Sequence, residues 1–187
     1  WQYDSVVSSI MNHSEYSAAS LSSEILNGFT AYYPNNYLAA AIDMSRLPAL
    51  NTAINSFGTA MSGTSGDSEW ANIYKAVLTA NYPKNYRAAD LDNLMDRIYY
   101  FAENANIKNS ANLVQSALYN AVIDTESALN YPHLVKARQG LGIYVPPFGK
   151  EDEPEYSSRY PNWNAASNWD DFVQALFMAK DTQPPTI

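Results

Sequence analysis

The stretch "YLAAAIDMSRLPALNTAINSFGTAM", Tyr37 to Met61, changes its hydrophobic period partway along. Tyr37 to Ile42 is apolar and short, follows closely on Pro34 and stops at Asp43. It reads as a strand, since it is too brief for a helix, although its alanines are poor strand formers. Asp43, at the carboxyl end of that strand, either lines a site or caps the turn that follows. From there on, Leu47, Leu50, Ile54, Phe57 and Met61 recur every three or four residues. They form the stripe of an amphipathic helix, with Ser45 placed to cap it. A strand that feeds directly into a helix predicts α/β layering.

On the N-terminal side, Val6, Val7, Ile10 and Met11 predict a short helix. Leu21, Ile25, Leu26, Phe29 and Tyr33 predict a longer one, ended at Pro34. On the C-terminal side, the Gly/Ser loop "SGTSGD" separates two helices. Trp70, Ile73, Tyr74, Val77 and Leu78 make the next stripe. Leu91, Leu94, Met95, Ile98 and Phe101 make another, and Leu113, Val114, Ala117 and Leu118 one more. "AVIDTES" and Leu141 to Val145 of "GLGIYVPP" are two further candidate strands. Residues 148–167 lack a period and read as a loop. Ser167 and Asp170 have capping-box spacing ahead of a last stripe, Trp169, Phe172, Val173, Leu176 and Phe177. The expectation is a helix-rich α/β unit over residues 1–180, with about seven helices and three short strands. Residues 181–187, "DTQPPTI", read as a linker. Three strands leave exposed edges, so the simplest expectation is that they finish a sheet begun upstream of Trp1.

Composition bounds the function. The 187 residues are 47% hydrophobic and 16% charged, which marks a globular chain. The net charge of −8 argues against nucleic acid and anionic membrane surfaces as partners and suits a basic partner or substrate. No apolar run reaches the roughly 18 residues of a membrane span. The absence of cysteine excludes disulfides, thiolate metal sites and a cysteine nucleophile within these residues.

The motifs for chemistry are sparse. His13 and His133 lack metal-spaced partners and read as surface residues. There is no Gly-x-Ser-x-Gly elbow and no phosphate-binding glycine loop. Asp124 and Glu126 stand at alternate strand positions and share a face. They read as a solvated pair or as a carboxylate pair for acid–base work. Glu151 to Glu155, "EDEPE", offers hard oxygen ligands for Ca2+ but lacks the pattern of a calcium loop, so no cofactor is expected. Asn12-His13-Ser14 has the form of a glycosylation sequon. Tyr156, Tyr160, Trp163 and Trp169 form either a binding platform or a satellite core beneath the loop.

Five segments, in order, resemble the clostripain family of cysteine peptidases. "WQYDSVVSSI" resembles the segment around that family's Gly-Trp-x-Tyr, with Trp1 and Tyr3 in the matching places. "LAAAIDMSRLPALNTAINSF" resembles its strand-then-helix block, and "RAADLDNLM" its Asp-Leu helix start. "GLGIYVPP" resembles a strand and "NWDDFVQAL" the final helix. The resemblance implies a caspase-like α/β sandwich and cleavage after Arg or Lys by a His/Cys dyad. It places the dyad and the acidic residues that read the basic side chain before Trp1, so no catalytic residue is expected within this chain. Trp1 and Tyr3 are the implied substrate-binding residues, packing on the aliphatic stem of the basic side chain. The implied partners are an upstream catalytic segment and a peptide or protein substrate. The implied setting is a secreted or cell-surface bacterial protein. The alternatives are a helical module holding glycan or peptide on its Tyr/Trp loop, and a peptidase-like pseudoenzyme.

Overall fold

The computed structural model describes residues 4–32, 37–64, 66–80, 88–128, 141–145 and 166–180. Among these, seven α-helices and four short strands are present. Their order is α1 (Asp4–Asn12), α2 (Ala18–Tyr32), β1 (Tyr37–Ile42), α3 (Leu47–Ser62) and α4 (Asp67–Thr79). Then come β2 (Ala88–Asp90), α5 (Leu91–Phe101), α6 (Ala105–Ala121), β3 (Val122–Ala128), β4 (Gly142–Tyr144) and α7 (Trp169–Lys180). The chain is a helix-rich α/β fold, as its periodicity predicts. The expected linker, 181–187, lies outside the described residues.

The strands form two antiparallel ribbons. β1 pairs with β3, from Tyr37 opposite Ala128 to Ile42 opposite Val122, with an irregularity between Ala41 and Ile42. β2 pairs with β4, Ala89 lying opposite Ile143. The three strands read from the sequence are therefore present, and each has a partner within the chain. The fourth, Ala88–Asp90, falls where a helix start was expected. Its three residues include two alanines, and the ladder to β4 holds them extended. Leu91 N–H extends that ladder by donating to Leu141 O at 2.9 Å.

The main core lies between α3, α4, α5, α6 and α7. Leu50, Ile54, Phe57 and Met61 of α3 meet Ile73 and Val77 of α4, and Leu91, Leu94, Met95 and Ile98 of α5. Ile107, Val114 and Leu118 of α6 and Trp169, Phe172 and Val173 of α7 complete it. Burial of each large apolar side chain contributes about 1.5–3 kcal/mol, so these stripes dominate the stability of the fold. Ile143 of β4 and Val145 just after it join the same core, whereas α2 lies on the β1–β3 ribbon and α1 packs on α2.

α3 closely approaches the residue that leads into α7. A Cβ at Gly58 would lie 2.9 Å from Asn168 Cβ and 3.0 Å from Asn168 O, so only glycine permits this approach. One turn away, Asn55 clamps the start of α7. Its Nδ2 donates to Ala166 O at 3.0 Å and its Oδ1 accepts from Asn168 N–H at 2.8 Å. The capping box expected from Ser167 is absent: Ser167 is buried and its hydroxyl has no hydrogen-bond partner. Asn55, distant in sequence, takes over that function. Likewise Ser45 is not the cap of α3, whose N-cap is Arg46 without a side-chain bond. Ser45 instead donates through N–H and Oγ to Asp43 Oδ1, at 2.9 and 2.7 Å. Asp43 thus caps the short 3-10 turn Met44–Arg46. These two bonds hold its carboxyl below the ordinary range.

Candidate functional site

The most concentrated buried polar chemistry among the described residues lies at the start of α5. β2 runs into α5 without a loop, which fixes Asp90, Asp92 and Asn93 where the helix leaves the ribbon. All three are buried. Asp90 Oδ1 accepts from Asn93 N–H at 3.0 Å, a conventional N-cap that stabilises by about 1 kcal/mol. Asp92 is wholly buried and faces α6. Its Oδ1 accepts from Gln115 Nε2 at 2.7 Å and from Tyr119 Oη at 2.9 Å. Its Oδ2 is buried without a hydrogen-bond partner.

A carboxylate oxygen in this position is a strong acceptor for one more donor. Leaving such an acceptor unmet costs about 1–3 kcal/mol or more. The α5 N-terminus lowers the cost of negative charge there. The cluster orders the α5–α6 pair. The bonds to Asp92 come from Gln115 and Tyr119, donors that hold the carboxylate in place. The sequence reading did not select Asp92, because its partners lie 23 and 27 residues away on another helix.

A second carboxylate is used in a similar way. Glu69 of α4 is buried and accepts from Glu103 N–H at 3.1 and 3.0 Å and from Asn104 N–H at 3.2 Å. It closes the turn between α5 and α6, whose own N-cap is Asn104, accepting from Asn106 N–H at 2.8 Å.

The residues selected from sequence fall as follows. Trp1 and Tyr3 lie outside the described residues, as do His133, the acidic stretch 151–155 proposed for Ca2+, and Tyr156, Tyr160 and Trp163. His13 is a surface residue, stacked on Tyr16 at 4.7 Å and bonded to Glu15 at 2.8 Å. Asp124 and Glu126 are half-buried on β3, opposite Ala41 and Ala39. Asp124 Oδ1 accepts from the neighbouring Thr125 N–H at 2.8 Å. Trp169 is not part of an exposed platform. It is fully buried against Phe57 and Phe172, and its Nε1–H donates to Tyr144 O at 2.6 Å, tying α7 to β4.

Among the described residues no group of three or more His, Asp or Glu side chains is placed to hold a metal ion. No helix among them is long and apolar enough to cross a membrane. No family model, curated protein or solved structure matches the chain.

Proposed function

We propose that this chain is the non-catalytic C-terminal portion of a clostripain-like cysteine endopeptidase that cleaves after Arg or Lys. The observation that supports this reading is a correspondence between motif and element. Over their described residues, three of the five segments that resemble the family take the element the resemblance expects: "LAAAIDMSRLPALNTAINSF" is strand then helix, "GIY" is a strand and "NWDDFVQAL" begins the last helix. "RAADLDNLM", expected as a helix start, is strand at Ala88–Asp90 before α5 opens at Leu91. The acidic charge of the chain suits basic substrates.

In this reading the thiolate and imidazole belong to the segment before Trp1. There the thiolate attacks the scissile carbonyl and the His transfers the proton. The present residues supply strands, covering helices and, through Trp1 and Tyr3, part of the wall around the basic side chain of the substrate. The parent protein is a secreted or cell-surface bacterial enzyme.

The test is an assay of the whole encoded protein on fluorogenic peptides ending in Arg, Lys, Leu or Asp. Selective cleavage after Arg and Lys, lost on thiol alkylation, is expected. Absence of cleavage after both basic residues in the folded, processed protein contradicts the reading.

A further inference from the structure

β1 is an open edge. In an antiparallel ladder the N–H and C=O of one residue point to the same side, and successive residues alternate sides. Asp43 N–H donates to Ala121 O at 2.8 Å, which turns Asp43, and with it Ala41 and Ala39, towards β3. Leu38, Ala40 and Ile42 therefore aim their backbone groups away from β3. The opposite strand agrees. Thr125, across from Ala40, turns its N–H to Asp124 Oδ1 at 2.8 Å and not to β1. Among the described residues no further strand takes up the outward groups of β1.

The two edges of the ribbon differ in chemistry. On β3 the Asp124 carboxylate occupies the outward Thr125 N–H, so a charge blocks that side. β1, Tyr37–Ile42, has no charged residue and no proline, the usual devices that keep an edge from pairing. A two-stranded ribbon is marginal until a third strand joins it. We propose that β1 pairs antiparallel with β1 of a second copy of the chain, giving a four-stranded sheet in the order β3–β1–β1–β3. A twofold pairing must set outward residues against outward residues, and the register that uses all three is centred on Ala40. It places Ala40 against Ala40 and Leu38 against Ile42 of the partner subunit. This contact is self-complementary and uncharged. Asp124 and Glu126 stay on the outer strands. They lie three strand spacings, at least about 14 Å, from their counterparts, beyond a Debye length of about 10 Å.

Sedimentation equilibrium of the whole encoded protein, with two edge variants, tests it. Ala40→Pro removes only an outward N–H and leaves the β1–β3 bonds, so it blocks pairing without breaking the ribbon. Ala40→Lys blocks pairing by charge and leaves the backbone as it is. The wild type is expected to be dimeric. Both variants are expected to weaken the dimer at least about ten-fold with an unchanged circular dichroism spectrum. In the dimer the two position-40 Cα atoms lie about 5.5 Å apart, within disulfide range. Ala40→Cys is therefore expected to oxidise to a dimer in which mass spectrometry finds two copies of the peptide carrying position 40 joined to each other. A monomeric wild type overturns the proposal, as does a dimer that survives Ala40→Lys or an oxidised Ala40→Cys protein without that joined peptide. Protection of the Ala40 amide from hydrogen exchange in a monomer assigns the edge to another strand of the same polypeptide and overturns it too. Cleavage after Arg or Lys is independent of all these results, so the peptidase reading stands or falls apart from them.

Discussion

Gly58→Ala sets two effects of opposite sign against each other. In the interior of a helix, alanine is favoured over glycine by about 0.8–1.0 kcal/mol. At Gly58 the added methyl would lie 2.9 Å from Asn168 Cβ and 3.0 Å from Asn168 O. The second of these atoms is backbone, so α3 and α7 must separate. Such overpacking costs roughly 1–3 kcal/mol. The expected net effect is destabilisation of up to about 2 kcal/mol, or roughly 4–8 °C in Tm for a chain of this size. Gly63 provides the control. Its φ is −78°, and a Cβ there would meet its nearest atoms at 3.7 and 3.8 Å, ordinary contact. Gly63→Ala is expected to be neutral or to stabilise by about 0.4–1 kcal/mol through the unfolded chain. Urea denaturation of the two variants gives the comparison. If Gly58→Ala stabilises as much as Gly63→Ala, the close approach of α3 and α7 is wrong.

Three further outcomes follow from the packing. Trp169→Phe removes the bond to Tyr144 O as well as buried area, and is expected to lower stability by about 2–3 kcal/mol in thermal denaturation. An unchanged Tm would return Trp169 to the surface. Asp92→Ala removes the carboxylate oxygen to which Gln115 and Tyr119 both donate and is expected to cost about 1–3 kcal/mol, measured in urea; a neutral result would remove the α5–α6 cluster. Burial pushes Tyr74 up to about 12, against an ordinary value of about 10. The folded state therefore holds this proton more tightly, so its contribution is full below pH about 10 and is lost as pH rises towards about 12. Tyr74→Phe is expected to flatten the fall of Tm across that window, and a parallel profile would contradict the assignment.

The sequence made the long helical stripes legible because their period is local. Leu50, Ile54, Phe57 and Met61 are all buried, as the spacing requires. The same reasoning erred at stripe margins: Leu78 and Leu113 are exposed, since which side of a helix finds a neighbour is set by tertiary packing. β2 was not legible because its strand state comes from β4, more than fifty residues later. Ser45 and Ser167 had the chemistry of caps, but α3 has no side-chain cap and Asn55 holds the start of α7; Asp43 caps the turn after β1, one of its two readings from sequence. For Asn55 the partner is 113 residues away, so no local motif records it. The polar cluster around Asp92 was hidden for the same reason. Trp169 read equally as platform or core, and its buried indole decides for core. The implied substrate wall, Trp1 and Tyr3, rests on the family resemblance alone.

The most direct measurement is the coding sequence immediately ahead of Trp1. The account predicts a His-Gly at the end of a strand, then an Asp-x-Cys, then a Pro-Gly-x-Gly run leading into Trp1. A start codon, a linker or an unrelated domain in that position would contradict it, and the peptidase assignment would fall.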